Sequence, residues 1–341
     1  MNKVTIQPFF KYSSYFKFFL NLKRKCKKNI FRSGRSSLEF GINAILKNNK
    51  NIKKILIPSL ICDEIIPIFK ELNLEIIYYN ITNQLQLDKN DIEKKLTNSP
   101  SIILVVNYFG FPSQWNIVND IKNKYDCLII EDNAHSLFTC LNDKELGSFG
   151  DISFNSYRKI LPLLSGSKLK SNNKNIDINH KTFTRFPTFN EILYSIRGLG
   201  LNTFRRKMKR HENSTNSYFT NNKIDFLSKL ILENFNFNQQ EIIKNRIKNY
   251  HFWEKYLFNS ELKFFKNLQV NEKICPYVFP CYAESSKIID KWIKWGENRN
   301  INIIKWPYFP QSAVPHIKHN ELKHILCFPV NHQFDLTKII S

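Results

Sequence analysis

The sequence predicts an α/β protein with a large domain on a mostly parallel sheet flanked by helices, followed by a small C-terminal α+β domain. Three observations carry this. Short Ile- and Val-rich runs at residues 54–58, 101–107 and 127–131 alternate with longer amphipathic stretches, as strands joined by helical crossovers do. These runs are apolar almost throughout rather than at every second position, which means strands buried on both faces. After a polar stretch at 165–179 the alternation gives way to long helical segments and a few closing strands, placing the large domain at 1–235 and the small one at 236–341.

In chain order, a helix over 36–48 follows Ser33 and Gly34, and a strand spans 54–58. Residues 63–72 read as a helix because Ile65, Ile66, Ile68, Phe69 and Leu72 form one apolar face. A strand at 75–79, a helix at 90–96, a strand at 101–107, a helix at 117–125 and a strand at 127–131 complete the alternation. The polar residues 165–179 predict a loop. Helical segments at 190–204 and 239–258, a strand at 277–283, a helix at 285–297 and a strand at 301–304 follow.

Composition narrows the function classes. Among 341 residues, 51 Lys and Arg against 29 Asp and Glu give a formal charge of +22, which attracts anions generally, whether nucleic acid, anionic lipid or phosphorylated metabolites. Basic residues concentrate in 1–30 and in the cluster Arg205, Arg206, Lys207, Lys209 and Arg210. No nucleic-acid recognition module accompanies the cluster, which reads as a solvated helix face. No run reaches the roughly 18 apolar residues of a membrane-spanning helix. The aromatic segment 9–20 is broken by Lys11 and Lys17 and has no cleavage site after it, so it reads at most as a weak peripheral membrane contact rather than a signal peptide. Seven cysteines without metal-ligand spacing predict a reducing, cytoplasmic setting and no metal.

Ligands of such sheets bind beyond the carboxyl ends of the strands, which directs attention to Asn107 and Tyr108 after one strand and to Asp132 and His135 after another. An acid at a strand end, followed by Ser153 and Ser156 and then Lys159, is what a pyridoxal phosphate site requires. The lysine bonds the aldehyde, the acid keeps the ring nitrogen protonated, and hydroxyls hold the phosphate. Each residue also has a plainer reading. Asp132 fits a cap or turn, Lys159 a solvated lysine and His135 a core histidine; Asn107, Tyr108 and Phe109 fit residues that end a strand and pack.

The residues around these positions resemble the DegT/StrS-type sugar aminotransferases, a family of fold-type-I pyridoxal phosphate enzymes. The resemblance rests on residues 33–38, 57–59, 105–110, 131–135, 156–159, 302–307 and 325–330. It implies that Lys159 is the Schiff-base lysine and proton carrier, that Asp132 pairs with the ring nitrogen and that His135 stands beside the ring's phenolic oxygen. Ser156 and Ser153 would contact the phosphate, and Ser36 and Ser37 would complete the phosphate cup at a helix start, where exposed N–H groups favour an anion. The sequence departs from the family in having Gly166-Ser167 for a Gly-Gly turn, Leu60 or Cys62 where an aromatic stacks on the ring, and few glycines.

The resemblance further implies amino transfer, with glutamate as donor, to a keto sugar that is nucleotide-linked, in polysaccharide or glycoconjugate biosynthesis. It also implies a homodimer, with residues 181–190 crossing to the partner. Sugar dehydratases of the same family carry His in place of the lysine, and Lys159 speaks against that alternative. A relative that has lost catalysis, or a basic binding protein for nucleic acid or an anionic membrane surface, are the remaining readings.

Overall fold

The computed structural model describes residues 3–9, 28–96, 99–188 and 222–340. The expected helix at 190–204, the basic cluster at 205–210, residues 10–20 of the aromatic segment and the last two residues of 181–190 lie outside them.

Strand β1 (Ile30–Phe31) leads into helix α1 (Gly34–Asn48), whose start is fixed by Ser33: its Oγ accepts the Ser36 N–H at 3.3 Å. Then follow β2 (Lys54–Pro58), α2 (Ile66–Glu71), β3 (Glu75–Tyr79), α3 (Lys89–Lys95), β4 (Ser101–Val106), α4 (Trp115–Lys124) and β5 (Cys127–Asn133). Every residue of β2 and β4 is buried, as strands covered on both faces require. A hairpin, β6 (Cys140–Leu141) and β7 (Lys144–Glu145), precedes β8 (Ile152–Asn155), the short helix α5 (Tyr157–Ile160) and β9 (Ser167–Ser171). The main sheet has seven strands in the order β1-β9-β8-β5-β4-β2-β3. β9 runs antiparallel to both neighbours, and β8, β5, β4, β2 and β3 are mutually parallel. The carboxyl ends of β2, β4, β5 and β8 therefore open on one edge.

Three sequence expectations are corrected here. Residues 165–179 are not all loop, since Ser167–Ser171 is a strand of the main sheet. Its Ser167 and Leu169 point inward while Lys168 and Lys170 point to solvent, so a period of two lies behind a polar composition. Ile152–Asn155, where the sequence predicts no strand, pairs between β5 and β9. The strand expected at 301–304 is displaced to Ile304–Lys305, and Ile301 makes an isolated parallel bridge with Val4.

After β10 (Thr184–Arg185) and β11 (Ile224–Asp225) come α6 (Phe226–Asn234), α7 (Gln239–Tyr256), β12 (Lys263–Phe264), β13 (Val278–Tyr282), α8 (Ser286–Asn298), β14 (Ile304–Lys305) and β15 (Ile325–Pro329). The last four strands form a second sheet, β12-β13-β15-β14. Helix α7 packs on it through Trp253, fully buried, with its Nε1–H donating to the Pro329 carbonyl at 2.8 Å.

Candidate active site

Strand β5 alternates two carboxylates between the faces of the sheet. Glu131 is buried on one face, where it accepts the N–H groups of Gly147 (2.5 Å), Phe149 (3.0 Å) and Gly150 (3.1 Å) and the Asn107 amide (3.2 Å). Its oxygens are thus fully supplied with donors inside the sheet, a structural role. Asp132 points the other way. Its Oδ1 accepts the Ala134 N–H at 2.8 Å, and burial pushes its carboxyl up to about 6, against the pull of that N–H and of the Lys159 charge.

Lys159 reaches this face from the turn after β8. Its backbone N–H donates to the Ser156 carbonyl at 3.2 Å, closing the first turn of α5. Burial lowers the pKa of its amine, because a desolvated ammonium is disfavoured. The Cys62 thiol beside it is itself pushed up to about 12 by burial and is neutral at ordinary pH. The opposing negative charge therefore comes from Asp132 and Glu64. The amine lies 5.6 Å from the centre of the Tyr277 ring.

His135 stands in an aromatic stack between Phe109 (5.8 Å, 10°) and Tyr277 (4.7 Å, 19°), with the Trp306 ring edge-on at 5.4 Å. The Phe109 N–H donates to its Nδ1 at 3.4 Å, which places the ring proton on Nε2. Burial, with the Lys159 charge second, lowers its pKa well below the usual value, so the ring is a neutral Nε2–H donor. Phe109 and Gly110 take positive φ of 57° and 103°. A Cβ on Gly110 would lie 2.3 Å from the Cys275 carbonyl oxygen, so only glycine lets this turn press against residues 275–277.

The residues selected from the sequence fall into two groups. Asp132, His135 and Lys159 come together, and buried Ser156 opens the turn that carries Lys159. Ser36 arrives with the start of α1; a Cβ on Gly34 of that turn would lie 3.5 Å from the Asn155 carbonyl, next to Ser156.

The others are committed elsewhere. Ser153 pairs with Glu131 in the sheet, so it shares that face, and its hydroxyl donates to the Gly147 carbonyl at 2.9 Å. Ser37 spends its N–H on the Ser33 carbonyl, and its hydroxyl bonds the Ser167 hydroxyl at 2.7 Å. Asn107 is fully buried: its amide N–H groups reach Glu131 and Asn133, while its carbonyl accepts Ser113 N–H and Trp115 Nε1–H. The Tyr108 hydroxyl donates to the Leu60 carbonyl at 2.7 Å, and its ring lies 6.0 Å from Trp306. Sequence reading places Phe109 at the strand end, as a packing or substrate-contact residue, and misses Tyr277, which flanks His135 from the other side; a lone aromatic in an apolar run carries no signal of such a role.

A lysine amine and a buried carboxylate at adjacent strand ends, a neutral imidazole donor beside them and a helix start abutting the lysine turn form a donor set that fits pyridoxal phosphate. The amine would take the aldehyde, Asp132 the ring nitrogen and the α1 start with Ser156 the phosphate. Among the described residues no group of three metal-ligating side chains occurs, and no helix is long and apolar enough to cross a membrane.

Comparison with known proteins agrees with the resemblance read from the sequence. Residues 35–185 match the DegT/DnrJ/EryC1/StrS aminotransferase family. A 68-residue stretch is 34% identical to GDP-4-keto-6-deoxy-D-mannose 3-dehydratase of Escherichia coli O55:H7, covering 20% of this chain and 18% of that protein. A 93-residue stretch is 29% identical to GDP-perosamine synthase of Escherichia coli O157:H7, covering 27% and 26%. The matches thus span about a fifth to a quarter of these relatives' length. A putative sugar aminotransferase from Streptococcus pneumoniae, solved in its PLP form, superposes with a TM-score of 0.69 over 99% of this chain and 96% of its own, at 11% identity. The described residues therefore have that fold.

Proposed function

We propose that this chain, which carries the DegT/DnrJ/EryC1/StrS family match over residues 35–185, is a pyridoxal phosphate-dependent aminotransferase acting on a nucleotide-linked keto sugar. The observation that carries the reading is the convergence of Lys159 and Asp132 in one buried setting, each shifting the other's titration. Bound pyridoxal phosphate supplies an aldehyde and a ring that accepts the electrons of a carbanion.

The chain's own residues do the rest. Asp132 holds a carboxylate toward the ring nitrogen and keeps a proton there. His135 offers its Nε2–H to the phenolic oxygen, and Ser36 and Ser156 hold the phosphate. Lys159, with a pKa below that of an exposed lysine, has more of its amine neutral near pH 7 and can take the proton from the donor's α-carbon. The donor, glutamate in this reading, leaves as its 2-oxo acid and its nitrogen ends on the sugar carbon. The division at residue 235, a homodimer and a cytoplasmic location belong to the same proposal.

Lys159 favours amino transfer over the dehydratase activity named for one relative, where the resemblance expects His. In the test, purified protein is given pyridoxal phosphate, glutamate and a nucleotide-linked 4-keto sugar, and 2-oxoglutarate and amino sugar are measured. Turnover by the wild type and none by Lys159→Ala supports the proposal. Dehydration without nitrogen transfer, or salt-sensitive polyanion binding alone that Lys159→Ala retains, contradicts it.

A further inference from the structure

Tyr277 begins the segment leading into β13, far in sequence from Lys159, yet its ring meets both working groups of the site. It stacks on His135 at 4.7 Å and lies 5.6 Å from the Lys159 amine, within the range of a cation–π contact. Its N–H donates to the Phe109 carbonyl at 2.7 Å, and its hydroxyl accepts from the Gln7 amide at 3.4 Å. Gln7 in turn accepts from Arg158, the neighbour of Lys159, at 3.2 Å.

What fixes Tyr277 from behind is Arg246 on α7. This guanidinium is fully buried, and its Nη1 donates to the carbonyls of Pro276 (3.1 Å) and Tyr277 (3.2 Å), while Nε and Nη2 have no hydrogen-bond partner among the described residues. A buried guanidinium held only by carbonyls is costly. Core stability alone is better served by an apolar side chain.

We propose that Tyr277 is a working residue of the site, its ring holding the Lys159 amine and the plane of His135, and that Arg246 is the positioning residue that sets it. The proposal rests on Lys159 being the reacting amine. The ring face favours the ammonium form, opposing the burial that disfavours it, so Tyr277 tunes the fraction of Lys159 that is neutral.

The test reads Lys159 directly, without turnover. The full chain, free of cofactor, is treated with acetic anhydride across pH, and acetylation of Lys159 is followed by mass spectrometry for wild type, Tyr277→Phe, Tyr277→Leu and Arg246→Lys. Tyr277→Phe keeps the ring and should keep the midpoint. Tyr277→Leu removes it and should lower the midpoint by roughly 0.4 to 1.5 pH units. Arg246→Lys keeps the charge but loses the fixed in-plane pair of Nη1–H donors, and should move the midpoint the same way by less. An unchanged or raised midpoint in Tyr277→Leu overturns the proposal, as does a lowered midpoint in Tyr277→Phe. Borohydride trapping of pyridoxal phosphate in the same proteins keeps the two claims apart: a label on another lysine, or none, removes the cofactor reading, whereas the midpoints judge Tyr277.

Discussion

Glu39, on the buried side of α1, should destabilise the protein at neutral pH, and Glu39→Gln should relieve it. The residue is 2% exposed, and neither carboxyl oxygen has a hydrogen-bond partner among the described residues. Burial, with Glu71 adding, pushes its pKa from 4.5 to about 7. At about 1.4 kcal/mol per pH unit this is at most about 3.5 kcal/mol. Since the folded pKa is the higher, the contribution is fully present below about pH 4.5 and is lost as pH rises through about 7. Glu39→Gln cannot ionise. It should exceed the wild type by up to about 3 kcal/mol at pH 8 and by under about 1 kcal/mol at pH 5. Urea unfolding followed by tryptophan fluorescence at both pH values measures this. A gain of equal size at both, or none at pH 8, would refute the reasoning.

The remaining expectations are shorter. Asp132→Asn removes a carboxyl that burial raises from 3.8 to about 6; the cofactor-free protein should gain up to about 3 kcal/mol above pH 6 and nothing below about pH 3, while transfer is lost. Urea unfolding and 2-oxoglutarate release check the two halves. Asn107→Ala strips four hydrogen bonds from a buried network and should cost about 2–4 kcal/mol. Its KM for the sugar should stay unchanged, which steady-state kinetics would show. Gly110→Ala places a Cβ 2.3 Å from the Cys275 oxygen at φ 103°, and a cost of at least about 2 kcal/mol should appear as a lowered thermal midpoint or insoluble expression.

The parallel sheet is legible in the sequence because its strands announce themselves. The Ile-rich runs in β2, β4 and β5 leave few alternatives, and the residues that follow them single out Asp132 and His135. β9 is not legible, because Ser and Lys alternate in it and the inward positions are filled by Ser167 and Leu169; composition outweighs period. The same limit applies to side-chain direction. Sequence proximity puts Ser153 beside Ser156 and Asn107 beside the strand end, but pleating turns Ser153 to the Glu131 face and hydrogen bonds draw Asn107 inward. Tyr277 joins the site through long-range packing against Phe109 and Gly110, and Arg246 through the carbonyls of Pro276 and Tyr277, contacts that no local pattern encodes.

The central claim is that Lys159 is the reacting amine of a pyridoxal phosphate site. Its most direct test is to add pyridoxal phosphate to the purified protein, record the visible absorbance, reduce with borohydride and map the labelled peptide. The account predicts a visible band that glutamate diminishes before reduction, one label per chain on Lys159, and neither in Lys159→Ala. A label spread over surface lysines, or persisting unchanged in Lys159→Ala, would contradict it.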